Sequence, residues 1–224
     1  MSEYKSLVFH YTVSIILLSE YAPLNDNTMD SVVPLWLPVA YTLFLLVLIP
    51  VYWKHYGPAN FLWFSDIALF AIGIALWTGS QLLVSMIAVG VLGLELVWNI
   101  DYFGRLIRGK PLLGLSDYMF DKRKTLFLRG LSLFHVFLPV MVLWLLVEWG
   151  YDSDAVYWQT LLTWIVLPLV YLFTDPKENI NWVFGPGNEP QQRIPKIQYF
   201  WLMMLFFPAC IFLPSHFLLK WLFN

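Results

Sequence analysis

Three ionisable side chains lie inside otherwise apolar stretches of this chain: Asp66, Glu95 and His135. The imidazole of His135 can take up and release a proton near neutral pH, and a carboxylate beside it can orient the ring or share its proton. Charged groups in apolar surroundings are costly, so they usually face partners in the protein interior. We therefore take His135, Asp66 and Glu95 as candidate catalytic residues for general acid–base chemistry.

Further polar residues are expected at the same level of the molecule, where they could contact a bound ligand. Asn99 follows Glu95 by four residues, so the two lie on one face of a helix. The other candidate substrate-binding residues belong to the links between apolar stretches: Lys54, His55, Asp175 and Asn181.

The carbonyl group of His135 is a second polar feature of its helix. Pro139 lies four residues later and has no amide hydrogen, so the carbonyl loses its helical partner. A free carbonyl in apolar surroundings must find a donor, and we expect a neighbouring helix or water to supply it.

No metal site or cofactor is predicted. His55, His135, Asp66 and Glu95 could supply zinc ligands, but neither H-x-x-x-H nor H-E-x-x-H spacing occurs. The single cysteine, Cys210, excludes an internal disulfide and a cysteine-based metal cluster. The net charge of −2 does not indicate a nucleic-acid partner.

The elements that position these residues are predicted to be helices in a membrane. Of 224 residues, 59% are hydrophobic and 12% charged, and the mean hydropathy is +0.66, whereas soluble domains are about 25% charged. The composition predicts an all-α, multi-pass transmembrane helix bundle, with residues 1–224 as a single domain and membrane lipids as its surroundings.

Six stretches approach the roughly 20 apolar residues that a spanning helix needs. They are Val33–Trp53, Asn60–Thr78, Leu82–Phe103, Leu126–Val147, Ala155–Thr174 and Ile197–Leu219. A seventh candidate, Ser6–Ser19, has only 14 residues; it could span, lie along the surface or be a cleaved signal peptide. We predict seven spans, or six if this segment does not span.

The basic residues predict an orientation. Twelve of 13 lysines and arginines fall in the N-terminus and in links 54–59, 104–130 and 175–196, which alternating spans put on one side. Positive charge marks the cytoplasmic side of a membrane. We therefore predict a cell-membrane location, with the N-terminus and the basic 104–130 link cytoplasmic and the C-terminus outside.

The links themselves carry further expectations. Segment 180–187 is too apolar for a solvated loop and is predicted to lie in the headgroup region or to fold back over the helices, and the 175–196 link is predicted to cover the polar residues. Segment 104–124 is predicted to be a surface hairpin or short amphipathic turn. Asp101, at a helix edge, is expected to be solvated, and Asn60 is expected to cap the helix that it begins.

Three functions are compatible with this pattern. The first is a cytoplasm-facing pocket, lined by Asp66, Glu95, Asn99 and His135, that binds or modifies a lipid or another small amphiphilic ligand. The second is a non-catalytic scaffold or assembly factor, in which polar side chains join helices at about 1 kcal/mol each. The third is a transporter or proton-linked channel, although no inverted repeat is visible. The sequence leaves open whether the protein is an enzyme and indicates no particular protein partner.

Overall fold

Six helices joined by links make up the described part of the chain. The computed structural model describes residues 33–187 and 189–223; it is all-helical, with 76% helix and no strand in these ranges. The helices are α1 Trp36–Tyr56, α2 Phe64–Thr78, α3 Gln81–Arg108, α4 Leu126–Trp149, α5 Ala155–Phe173 and α6 Lys196–Phe223. The links contain 3-10 turns at Pro58–Leu62, Asp117–Phe120 and Ile180–Trp182.

Five of these helices, all but α2, are long and apolar enough to cross a membrane, which is fewer than the seven predicted spans. The apolar helix α2 has 15 residues, so at about 1.5 Å per residue it is shorter than a hydrocarbon layer of roughly 30 Å. The seventh candidate, Ser6–Ser19, lies outside the described residues. The apolar helices indicate a membrane location.

Helix α2 begins later than predicted because the chain turns sharply before it. Gly57 has a φ of 78°, a left-handed conformation that glycine adopts without strain, and a 3-10 turn follows. Trp63 is extended, with a ψ of 137°, so the helix starts at Phe64. The prediction that Asn60 caps this helix is therefore wrong. The side chain of Asn181, 117 residues away in sequence, accepts the hydrogen bond of the Phe64 amide at 3.0 Å.

Two helices contain π-helical turns, Ala88–Leu92 in α3 and Phe207–Phe212 in α6, and the two turns contact each other. Gly90 in the first turn is buried against α5. A Cβ atom at Gly90 would lie 2.3 Å from Nε2 of Gln159, so a larger residue here would force the side chain of Gln159 to move.

The links gather at two opposite ends of the bundle. At one end, Lys124 Nζ donates a hydrogen bond of 2.9 Å to the hydroxyl of Tyr56, where α1 ends. At the other, the Tyr151 hydroxyl and His216 Nδ1 lie 2.7 Å apart. We call the first the basic end, because every described lysine and arginine except Lys220 belongs to a link or helix end there.

The interior between the two ends is packed mainly with apolar side chains. Leu69 and Ile72 of α2, Leu138 and Val142 of α4, and Leu167 of α5 are almost completely buried. This packing fixes the helices against one another, so their polar residues near the basic end are held in constant relative positions.

Candidate functional site

A cavity of about 470 Å³ lies at the basic end, within the range typical of ligand pockets. Helices α1 to α4 and three links form its walls. Asp66 from α2, Glu95 from α3 and His135 from α4 all line it. The structure thus brings the three candidate catalytic residues to one cavity.

Glu95 and His135 form a hydrogen-bonded pair in this cavity. His135 Nδ1 lies 2.8 Å from Glu95 Oε2, and both side chains are largely buried. If Glu95 is ionised its carboxylate can only accept, so the hydrogen bond is donated by Nδ1–H and Nε2 is the ring nitrogen left to face another group. Neither Nε2 nor Glu95 Oε1 has a hydrogen-bond partner among the described residues. Trp98 stacks on the imidazole with ring centroids 4.5 Å apart, which fixes the ring plane.

Asn99 binds the backbone of both residues of this pair. Its Nδ2 donates to the carbonyl of His135 at 2.6 Å and to that of Glu95 at 2.8 Å. The bond to the carbonyl of His135 replaces the helical hydrogen bond that this carbonyl lacks because residue 139 is a proline. Asn99 does not line the cavity and joins α3 to α4; its substrate-binding role stays a prediction.

Two polar atoms of the cavity walls are buried without a hydrogen bond to the described residues. Asp66 Oδ2 accepts from Asn60 Nδ2 at 3.3 Å, but Asp66 Oδ1 has no partner. The indole Nε1 of Trp98 likewise has none. Buried polar atoms are almost always hydrogen-bonded, so Asp66 Oδ1 and Trp98 Nε1 are the two wall atoms that a water molecule or a ligand would satisfy.

Besides Asn99, three more of the predicted binding residues lie outside the cavity: Lys54, His55 and Asp175. The face of α1 that reaches the cavity carries Tyr52 and Tyr56, so residues 54 and 55, at 100° per residue, point elsewhere. His55 Nδ1 lies 2.8 Å from a backbone carbonyl of its own helix, and Lys54 is exposed. Asp175 accepts from an amide of its own turn at 2.9 Å.

Asn181 lines the cavity, and both ends of its amide bind backbone. Oδ1 accepts from Phe64, and Nδ2 donates to the carbonyl of Leu62 at 2.8 Å. Asn181 itself has a left-handed backbone, with a φ of 52°. It therefore anchors the 180–187 segment above the start of α2, and Trp182 beside it also lines the cavity.

Asp101 is fully buried and organises the link that follows α3, contrary to the expectation that it would be solvated. Its Oδ1 accepts from the amides of Leu112, Leu113 and Gly114 at 2.6–3.2 Å. Its Oδ2 accepts from the amide and the hydroxyl of Ser116 at 2.8 and 2.7 Å. Five hydrogen bonds to one carboxylate fold this link back over the cavity. We call residues 109–125 the cover; it consists of turns, with a 3-10 turn at Asp117–Phe120, so of the two predicted forms it is closer to the short turn than to the surface hairpin.

The cover brings aromatic and basic groups that the sequence analysis missed. Lys124 Nζ lies 4.3 Å from the ring centroid of Tyr56 and 5.6 Å from that of Tyr118. Burial raises the pKa of Tyr118 well above that of a free tyrosine, with nearby Tyr52 contributing, so its hydroxyl stays protonated. On the helices, the hydroxyls of Tyr52 and Ser132 lie 2.6 Å apart at the cavity wall.

No group of three or more His, Cys, Asp or Glu side chains is placed to hold a metal ion within the described ranges. Comparison of the chain with known protein families, curated proteins and solved structures finds no match. The function is therefore inferred from the geometry of the cavity.

Proposed function

We propose that this protein is a multi-pass protein of the cell membrane whose cavity binds a lipid or another amphiphile and acts on it by acid–base chemistry. The membrane part is supported by five long apolar helices and by large exposed apolar side chains, such as Leu43, Leu172 and Leu205. The basic end would face the cytoplasm. An amphiphile reaches such a cavity sideways, with its headgroup inside and its chains in the lipid.

The observation that carries the chemical part is the Glu95–His135 pair at the cavity, in which Nε2 has no hydrogen-bond partner within residues 33–187 and 189–223. In this proposal Nε2 removes a proton from water or from a hydroxyl group of the ligand. Glu95 holds the ring and stabilises the imidazolium that forms, as carboxylates do beside catalytic histidines. A transport function has less support, because the described core beyond the cavity is mainly apolar.

The proposed orientation predicts which end of the bundle is accessible from outside the cell. In a Cys210→Ala background, Arg123→Cys in the cover should react with a membrane-impermeant maleimide only after the cells are permeabilised. Ser153→Cys, in the link between α4 and α5, should react in intact cells. Because the chain has one cysteine, each variant carries a single reporter. If position 123 is labelled in intact cells and position 153 is not, the orientation is the opposite of the one proposed.

The proposed occupant predicts that filling the cavity will exclude it. Ser65 lines the cavity, and Ser65→Trp places an indole in its volume. Lipids extracted from the purified variant and quantified by mass spectrometry should show at least about a tenfold loss of the species enriched with the wild type. Ser153→Trp, at the opposite end, is the matched control. Equal recovery from all three proteins, with unchanged melting temperatures, would rule out this cavity as the binding site.

A further inference from the structure

We propose that the cavity selects a zwitterionic headgroup, with a primary ammonium group directed to Asp66 and an anionic group directed to Lys124. This rests on the proposed amphiphile-binding function and names the class of ligand. Three features of the walls support it: a buried carboxylate with no cationic partner among the described residues, a set of aromatic rings, and separate donors for an anion.

The carboxylates favour a cation at one part of the cavity. Asp66 is 3% exposed, and the described residues give neither Asp66 nor Glu95 a lysine or arginine partner. Asp117, the other acid of the cavity wall, is paired with Arg105. Asp66 Oδ1 lacks a donor. An ammonium N–H supplies both the missing hydrogen bond and the opposite charge.

The aromatic lining favours an organic cation over a hydrated metal ion. Six tryptophan and tyrosine rings of the wall come from five separate elements of the chain: Tyr52, Tyr56, Trp63, Trp98, Tyr118 and Trp182. Faces of tryptophan and tyrosine rings attract ammonium groups, and the attraction grows when water is excluded. The cavity already holds one ammonium in this way, because Lys124 lies over the ring of Tyr56.

The remaining donors fit an anionic group on the same ligand. Lys124 brings a positive charge to the wall, and Trp98 Nε1 is a buried donor without a partner in the described residues. A phosphate could accept from both. Since Asp66 Oδ1 needs a hydrogen-bond donor, which a quaternary ammonium lacks, a primary ammonium such as that of an ethanolamine headgroup satisfies the site better.

The test uses the purified full-length protein and short-chain lipids below their micellar concentrations. Dihexanoyl phosphatidylethanolamine, phosphatidylcholine and phosphatidylglycerol are titrated by thermophoresis, with melting temperature as a second readout. We expect the ethanolamine lipid to bind most tightly, at least about tenfold better than the glycerol lipid. Asp66→Asn should remove this preference, whereas Asp154→Asn, the same change on an exposed loop at the opposite end, should keep it.

The outcomes separate the two proposals. Equal binding of the ethanolamine and glycerol lipids by the wild type would overturn the headgroup inference, and this comparison needs no variant. An unchanged preference in a folded Asp66→Asn protein would overturn the role of Asp66. If none of the three lipids binds, and Ser65→Trp retains the lipids of the wild type, the amphiphile-binding function itself fails.

Discussion

Replacing Asp101 with asparagine should release the cover and lower the free energy of unfolding by about 2–4 kcal/mol. The carboxylate accepts five hydrogen bonds from the cover while fully buried. In asparagine an NH₂ group, which cannot accept a hydrogen bond, replaces one of the two carboxylate oxygens. The donors of the cover that are bonded to that oxygen in the wild type therefore lose their acceptor. The change is measured as a lower melting temperature and as faster tryptic cleavage after Lys122, Arg123 and Lys124.

Asp121→Asn is the matched control within the same cover. Asp121 binds the exposed side chain of Arg123, and surface pairs of this kind contribute little to stability. We expect the melting temperature of this variant to stay close to that of the wild type. If Asp101→Asn melts and is cleaved like Asp121→Asn, the carboxylate does not hold the cover.

His135→Gln should abolish chemistry while leaving the fold intact. Glutamine can still hydrogen-bond to Glu95, and Asn99 binds the backbone carbonyl of residue 135, which the substitution keeps. Glutamine cannot exchange a proton, so loss of general base catalysis should slow turnover by about 10²–10⁴-fold. The measurement is mass spectrometry of phosphatidylethanolamine vesicles containing the protein, following loss of the lipid and appearance of products over time.

The scaffold alternative predicts a different result for the same variant. If His135 only joined helices, His135→Gln would reduce yield and melting temperature, and vesicle lipids would be unchanged with either protein. His216→Gln is the control, because His216 also has a hydrogen-bonded Nδ1 but lies at the opposite end. Lipid turnover by the wild type that survives in His135→Gln would exclude His135 as the base.

Composition and apolar run length predicted most of the helices. Five of the predicted stretches match long apolar helices to within a few residues, because burial or lipid contact of a continuous apolar run leaves no other backbone structure. The start of α2 could not be found in this way. Its first amide is satisfied by Asn181, and a contact across 117 residues has no local signal.

The level of the site residues along the helices was predictable, but which carboxylate contacts His135 was not. Counting along the helices placed Asp66, Glu95 and His135 at one level, and the structure brings them to one cavity. Whether Asp66 or Glu95 contacts His135 depends on the rotation of each helix about its axis. The role of Asp101 was hidden for another reason: its partners include four backbone amides, which any sequence offers. The spacing of Tyr52 and Tyr56, one helical turn apart, could have indicated from the sequence that both lie on the face of α1 that lines the cavity.

The π-helical turn in α3 has a consequence for how such a site could arise. A π turn is equivalent to one extra residue inserted in an α-helix, and one residue corresponds to about 100° of rotation. Glu95 follows Ala88–Leu92 by three residues. The direction in which its side chain leaves the helix, toward His135, therefore depends on that extra residue. An ancestor shorter by one residue here would have directed this carboxylate to another neighbour, and a single codon gain could have assembled the pair in one evolutionary step.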